Sequence, residues 1–163
     1  NRPILINKNN IEEMKILSKN NDHSNLRICL HSSPSDDHHD MIILETCGKY
    51  YRPHKHNGKG ECFHLIEGEL GIIIFDTKGK ILDFNILYPG EIYRIEKEMY
   101  HAIYPITSYV IYHENKPGPF LGDNDSIYPD WAPEQNDTVK IEKYYNKIKI
   151  YINELKKVPN DTK

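Results

Sequence analysis

Several features that mark common protein classes are missing from this 163-residue sequence. Its longest apolar run, GIIIF at 71–75, is far shorter than the roughly 20 residues that a membrane-spanning helix needs. The formal net charge is only −3, so no basic excess indicates a surface for nucleic acid. We therefore expect no membrane insertion and no nucleic-acid partner.

Cysteine is also scarce. The three cysteines, Cys29, Cys47 and Cys62, are an odd number and lack CxxC spacing. This pattern argues against a disulfide framework and favours a reducing compartment. The expected location is therefore the cytoplasm.

The middle of the chain has the pattern of an antiparallel β structure. At least six runs of four to eight residues, rich in Ile, Tyr and Leu, lie between residues 41 and 114 and are separated by Gly and Pro turns. No helical pattern interrupts them, which indicates a sandwich or barrel rather than alternating strands and helices. We predict one mainly all-β domain over residues 1–163, with the barrel core at about 26–115.

Helical patterns flank this β region. Residues 10–20 predict a short N-terminal helix with Asn10 as its N-cap. Residues 138–157 predict an amphipathic C-terminal helix that covers the outside of the barrel and ends near Pro159. The proline-containing stretch between, 115–137, is expected to be an irregular arm or a lid.

The segment GKYYRPHKHNGKGECFHLIEG groups several ionisable side chains within two predicted strands. His54 and His56 are two residues apart, so they project from one face of a strand. A glycine-containing loop then predicts a hairpin that brings Glu61 towards both imidazoles, whereas His64 has the opposite parity. Such a trio suits a divalent metal, while solvent, a hydrogen-bond network or a catalytic pair would also be compatible.

The spacing in this segment resembles the first motif of the cupin superfamily. The residues at its defining positions are Gly48, His54, His56, Glu61 and Gly68. The second cupin motif is degenerate here: Gly90 and His101 are retained, but Glu96, Glu98 and Pro105 replace its usual Pro, Gly and Asn. His101, at the start of another strand candidate, is therefore the expected fourth member of the site.

Further blocks resemble the WbuC-type cupin-fold metalloproteins, which are associated with O-antigen and other surface-polysaccharide gene clusters. These blocks include RICLHSSPSDDHHDMII, GPFLGD and WAPE, and the similarity covers about residues 25–135. The resemblance implies a cupin-type antiparallel β-barrel, or double-stranded β-helix. It also implies one divalent ion, Zn, Fe, Mn, Ni or Co, held by His54, His56, Glu61 and His101. A metal-free polar cluster and a non-catalytic binding or structural metal are the alternatives.

Other residues are candidates by chemistry and position. The proposed proton-transfer groups are His31, His39 and Tyr100, because imidazoles and phenols exchange protons. The proposed substrate contacts are Arg27, Tyr51, Arg52, Tyr93, Arg94 and Trp131, which offer cations for an anionic group and aromatic rings for a sugar. The alternatives are an exposed ion pair for each arginine, ordinary packing for the tyrosines, a structural plug for Trp131, and hydrogen-bonded loop histidines for His31 and His39.

The resemblance implies a metal-dependent cupin that acts on a sugar or nucleotide sugar in surface-polysaccharide synthesis, by isomerisation or epimerisation. An Fe²⁺-dependent dioxygenase and a non-enzymatic sugar-binding or regulatory module are the alternatives. We also expect a homodimer, because cupins commonly pair their sheets and a short-stranded sandwich exposes strand edges.

Overall fold

The structure is a computed structural model that describes residues 3–157. Its helices are α1 (Lys8–Asn20), α2 (Thr138–Leu155) and a 3₁₀ turn at Gly122–Asn124. Its strands are β1 (Leu26–Cys29), β2 (His38–Thr46), β3 (Lys55–His56), β4 (Glu61–Glu67), β5 (Leu70–Phe75), β6 (Ile81–Leu87), β7 (Ile92–Ile95), β8 (Tyr100–Pro105), β9 (Tyr109–Pro117) and β10 (Ser126–Ile127).

The strands form two antiparallel sheets and a small ribbon. The larger sheet has the order β1-β2-β9-β4-β7, and the smaller one has the order β6-β5-β8. The ribbon pairs β10 with β3, and a single bridge between His54 and His101 connects its β3 side to β8. The prediction of a mainly antiparallel β fold with one helix at each end is confirmed.

The core lies between the two sheets and follows the alternation of the strands. On β4, Glu61, Phe63 and Leu65 are buried, while the alternate residues are more exposed. This is the parity that the sequence predicts for the segment. The buried apolar layer comprises Met41, Ile43, Phe63, Leu65, Leu70, Ile72, Ile74, Leu87, Ile95, Val110 and Tyr112. Glu61 therefore begins an inward-facing row that is otherwise apolar.

Helix α1 covers the outer face of the larger sheet. Its Ile11 and Met14 pack against Ile42 on β2 and its neighbours. The predicted N-cap at Asn10 is wrong, because the helix begins earlier: the Asn7 side chain accepts hydrogen bonds from the first-turn backbone, and the Asn10 side chain accepts one from Asn7. This reciprocal capping satisfies N–H groups that a cap at Asn10 would leave unpaired.

Helix α2 covers the outer face of the smaller sheet. Asp137 caps it by accepting a hydrogen bond from the Lys140 backbone, and Ile148 and Ile152 pack against β5, β6 and β8. The predicted end near Pro159 lies outside the described residues. Within residues 3–157, no helix has the length and apolarity needed to span a bilayer.

The packing of α2 can be tested with two isoleucines of the same helix. Ile148 is completely buried, whereas Ile150 is 58% exposed. We expect Ile148→Ala to lower the free energy of unfolding by about 2–4 kcal/mol, because it leaves a cavity against the sheet. Ile150→Ala should change it by less than about 0.5 kcal/mol. Urea unfolding measures both, and equal effects would contradict the packing.

The region around the ribbon differs from the predictions. Residues 54–61 do not form a hairpin: β3 pairs with β10, because both edges of β4 are already occupied by β9 and β7. The arm at 115–137 is therefore partly ordered as β10 and the 3₁₀ turn. The polar stretch SSPSDDHHD at 32–40 predicts a loop, but β2 already begins at His38, because it pairs with the end of β9.

Candidate metal centre

Three histidines meet at one end of the barrel. His56 lies on β3, His54 immediately precedes that strand, and His101 lies on β8. Their ligating nitrogens all lie within 4.8 Å of one another. The backbones of His54 and His101 exchange hydrogen bonds of 2.9 and 2.8 Å, which hold their rings at a centroid distance of 4.6 Å. The structure thus brings together the three imidazoles that the sequence nominates.

The backbone orients each of these imidazoles. The acceptors are the carbonyl oxygens of Arg52, Asp125 and Met99, each 2.9 Å from Nδ1 of His54, His56 and His101 respectively. Because a carbonyl oxygen only accepts, each Nδ1 must carry a hydrogen, so Nε2 is the atom of each ring that can bind a metal ion once it is unprotonated. The Nε2 atoms of His56 and His101 are buried without a hydrogen-bond partner. Such orphaned nitrogens are what a bound metal ion would satisfy.

Glu61 completes the cluster from β4. Its Oε1 lies 2.5 Å from Nε2 of His101 and its Oε2 lies 3.2 Å from Nε2 of His56, although neither contact has hydrogen-bond geometry. Burial opposes the ionisation of Glu61, but the neighbouring His101 outweighs it and holds the pKa of the carboxyl well below its usual range. Burial, together with repulsion from His101, lowers the pKa of His54 to about 4, which keeps its imidazole neutral. Burial opposes the charge on His101, but the Glu61 carboxylate outweighs it and raises the pKa of His101. Three imidazole nitrogens, once unprotonated, and one carboxylate fit a divalent transition metal.

A buried ion pair supports the His56 side of the cluster. Lys59 Nζ lies 2.5 Å from both Asp125 Oδ1 and the carbonyl oxygen of Pro119. Asp125 also provides the carbonyl that orients His56, and both charged residues are buried. The arm after β9 is therefore clamped to the loop between β3 and β4, and it positions one ligand.

The cluster lies in the wall of a cavity of about 370 Å³. The four candidate ligands all contribute to its lining. Other polar lining residues include Arg27, Glu45, Tyr51, Arg52, Tyr112 and Tyr128. A metal ion at this position would be reachable from the cavity, which is the arrangement of a catalytic rather than a closed structural site.

The family model for the domain of unknown function DUF6016 matches residues 6–87, half of the chain. The chain belongs to the DUF6016 family. The match covers α1 to β6, so it includes His54, His56 and Glu61 but not His101. No curated protein sequence matches the chain.

Solved structures resemble the DUF6016 chain in fold. Oxalate decarboxylase from Bacillus subtilis aligns with a TM-score of 0.52 and 15% identity over 64% of this chain, which spans only 27% of the decarboxylase chain. A structure from a study of DMSP lyases aligns with a TM-score of 0.51 and 17% identity, covering 66% of this chain and 54% of that one. A cupin superfamily protein from Desulfitobacterium hafniense has a TM-score of 0.47 and 15% identity over 58% of this chain and 77% of its own. At these identities the likeness concerns the fold alone.

Three of the residues nominated as substrate contacts line the cavity of the DUF6016 chain: Arg27, Tyr51 and Arg52. The Arg52 guanidinium forms two hydrogen bonds with Glu134, of 2.9 and 2.8 Å, and lies 4.5 Å from the centroid of the Tyr128 ring. Arg52 is thus held at the wall by an ion pair and a ring. The Tyr51 hydroxyl donates to the carbonyl of Thr46, 3.2 Å away.

Tyr93 and Arg94 lie outside the set of described residues that line this cavity. The Tyr93 hydroxyl donates to Asp83, and burial together with this bond raises the pKa of Tyr93 to about 12. Arg94 forms a 2.9 Å ion pair with Glu96, in which both side chains are 65% exposed. Arg94 thus matches the alternative of an exposed ion pair. The positions of Tyr93 and Arg94 do not support a role in substrate binding.

Trp131 and Tyr100 also lie away from the cavity lining. The Trp131 ring packs at 5.0 Å from Phe75 and at 6.1 Å from Tyr100, in the cluster beneath α2. The Trp131 ring therefore packs outside the smaller sheet, away from the cavity. Tyr100 has an apolar and cationic environment there, with Lys55 5.4 Å from its centroid.

The two histidines nominated for proton transfer, His31 and His39, stack on each other at 4.0 Å. Each ring also contacts a carbonyl oxygen at 3.2 Å, His31 that of Asp40 and His39 that of Pro34. Neither ring is among the described residues that line the cavity. Their packing with the loop before β2 matches the alternative of hydrogen-bonded loop histidines.

Four charged residues that line the cavity were not predicted from the sequence: Glu45, Glu114, Lys116 and Asp125. Lys59, the buried partner of Asp125, was not predicted either. Strand parity offers a signal for two of them, because Glu45 continues the inward row of Met41 and Ile43 on β2, and Glu114 follows Tyr112 on β9. A carboxylate in a core-facing row is costly unless it has a task or a partner.

Proposed function

We propose that this protein is a metal-dependent cupin enzyme that isomerises or epimerises a small sugar. The proposal depends on one observation: three backbone-oriented imidazoles and the buried carboxylate of Glu61 converge on one point in the wall of a cavity. A divalent cation bound there would polarise a substrate carbonyl group. The protein's own side chains would bind the sugar, orient it and move its protons.

The size and lining of the cavity support a small polyhydroxylated substrate. A volume of about 370 Å³ is near the lower end of the range for ligand pockets, so a monosaccharide unit suits it better than a whole nucleotide sugar. Tyr50, Tyr51 and Tyr128 supply aromatic faces and hydroxyl groups, which can pack against a sugar ring and hydrogen-bond its substituents. In a nucleotide sugar, the nucleotide would have to lie outside the cavity.

The cellular role that we propose is surface-polysaccharide synthesis, such as O-antigen or capsule formation. This part of the proposal is supported only by the resemblance of blocks such as GPFLGD and WAPE to WbuC-type proteins. A fold alone does not determine a function, so the enzyme assay below does not depend on this role. The homodimer stays a prediction from the sequence.

The test uses the purified protein and a panel of aldoses, ketoses and nucleotide sugars in D₂O. We expect about one equivalent of a divalent metal by elemental analysis. We also expect NMR to show solvent deuterium entering a carbon–hydrogen position of at least one sugar. A chelator should abolish this exchange, and the metal should restore it.

Three outcomes would contradict the proposal. Exchange that survives complete metal removal would exclude a metal-dependent reaction. Oxygen uptake with Fe²⁺ and no exchange would support the dioxygenase instead. Tight sugar binding by the metal-loaded protein, without exchange or oxygen uptake, would support the non-enzymatic module.

A further inference from the structure

Glu45 is a carboxyl group in the cavity that the metal centre does not use. It lies on β2, where Met41 and Ile43 occupy the preceding inward positions and belong to the core. The cavity lining includes Glu45 together with His54, His56 and His101. An ionisable residue thus replaces an apolar one at the point where the core gives way to the cavity.

The surroundings of Glu45 leave one of its carboxyl oxygens without a hydrogen bond. The Tyr112 hydroxyl, on β9, faces the carboxyl, but the Oε2 atom of Glu45 is buried without a hydrogen-bond partner. Glu114, on β9, faces Glu45 with the same charge, while Arg27 on β1 and Lys49 after β2 bring opposite charge. The phenol of Tyr51 faces the carboxyl as well. A buried oxygen without a partner is expensive, and a ligand in the cavity could provide one.

These surroundings favour the neutral form of Glu45. Burial, followed by repulsion from Glu114, raises the pKa of Glu45 from its ordinary 4.5 to about 8. An acid whose pKa lies close to the pH of its surroundings can both accept and return a proton efficiently. An ordinary exposed glutamate would be a weak base and almost never protonated at neutral pH.

We propose that Glu45, supported by Tyr112, is the proton-transfer group of this cavity, and that its substrate is a hydroxy-carbonyl compound. This inference rests on the proposed function. The ionised carboxylate accepts the proton from a substrate carbon next to a carbonyl group. The neutral acid then returns that proton to the former carbonyl carbon, while the proton of the substrate hydroxyl moves to the former carbonyl oxygen. For epimerisation, the deprotonated substrate turns over in the cavity and takes the proton back on the opposite face of the same carbon, and its hydroxyl proton stays in place. Substrate and product are isomers, Glu45 ends as it began, and no oxidant or reductant is required.

Other groups in the described structure are less suited to this task. Glu114 is paired with Lys116 at 3.1 Å, so its charge is already compensated. Burial raises the pKa of Tyr112 well above its usual range, so this phenol keeps its proton. The histidines nominated from the sequence, His31 and His39, lie outside the cavity lining. Glu45 therefore lies in the cavity wall, has an oxygen without a hydrogen-bond partner, and has a pKa suited to proton transfer.

The first test measures the proton on Glu45 without any substrate. In protein labelled with ¹³C at the glutamate side-chain carboxyl, the resonance that disappears in Glu45→Gln identifies Glu45. We expect its titration midpoint near 8 in the metal-free protein. Glu96→Gln is the matched control, because Glu96 is exposed and lies outside the cavity lining. A midpoint below about 5, close to the ordinary value, would overturn the inference whether or not a sugar is found.

The pH dependence of protein stability provides a second measurement of the protonation of Glu45. The pKa of Glu45 is higher in the folded protein than in the unfolded chain. The contribution of the Glu45 carboxyl to the free energy of unfolding is therefore fully present below about pH 4.5 and is lost as the pH rises through about 8. The melting temperature of Glu45→Gln should therefore rise relative to the parent between pH 5 and pH 9, whereas that of Glu96→Gln should not. A difference that stays constant with pH would contradict a raised pKa.

The closing experiment separates the role of Glu45 from the proposed function. With a sugar that the parent exchanges in D₂O, Glu45→Gln should slow exchange by about 100-fold or more while keeping its metal content and its KM. If Glu45→Gln exchanges at the parental rate, the role of Glu45 is wrong and the proposed function survives. If the parent exchanges no sugar, the proposed function is wrong and the role of Glu45 falls with it.

Discussion

Replacing His56 with alanine should remove the metal from the protein. We expect the content to fall from about one equivalent to less than a tenth after dialysis in chelator-free buffer, which elemental analysis measures. His56 supplies one of three imidazoles, and its Nε2 faces both the cluster and the Glu61 carboxylate. With only two imidazoles and one carboxylate left, affinity should fall by about 100-fold or more, since even supporting residues are worth 10–100-fold.

His64→Ala is the matched control for this variant. His64 lies on β4 like Glu61, but its parity directs it to the other face, where it pairs across the sheet with His113 and Ile92. This variant should keep the parental metal content. Circular dichroism should show both variants folded. Full metal content in His56→Ala, or an equal loss in His64→Ala, would contradict the assignment of the centre.

Spacing in the sequence was sufficient to nominate the candidate ligands because strand parity is a local property. Two residues that are two apart share a face, so His54 and His56 could be placed together without any structure. The contact of His54 with His101 is different, because it depends on pairing between distant segments of the chain. His101 was predicted from the resemblance to the second cupin motif. The motif glycine at Gly68 also has a steric reason, as its φ is +89° and a Cβ would lie 2.6 Å from the Tyr109 carbonyl oxygen.

The rest of the site could not be predicted from such local rules. The hairpin prediction failed because β4 finds partners on both sides, β9 and β7, and this is decided by the whole sheet. Asp125 and Lys59 are 66 residues apart, and the arm that carries Asp125 has no periodicity that could indicate a buried side chain. Aromatic residues are too common in this chain for Trp131 to be distinguished as a packing residue. Glu45 was detectable by parity but was not considered.

The pair formed by Asp125 and Lys59 leads to the second large prediction. Asp125→Ala should lower the free energy of unfolding by about 3–5 kcal/mol, because it leaves the Lys59 ammonium buried without a counter-charge. It should also weaken metal binding by about 10–100-fold, because the arm whose carbonyl orients His56 loses its clamp. Urea unfolding of the metal-free protein and competitive metal titration measure the two effects separately.

A double variant distinguishes an unpaired charge from a simple loss of packing. Lys59→Met combined with Asp125→Leu removes both charges and fills their volume, so it should recover most of the stability that Asp125→Ala loses. Glu96→Ala is the surface control: Glu96 pairs with Arg94, but both side chains are 65% exposed, and such solvent-exposed pairs contribute little to stability. If Asp125→Ala costs no more than Glu96→Ala, the buried pair does not hold the arm in place. If the double variant is as unstable as Asp125→Ala alone, the loss has a cause other than the uncompensated lysine.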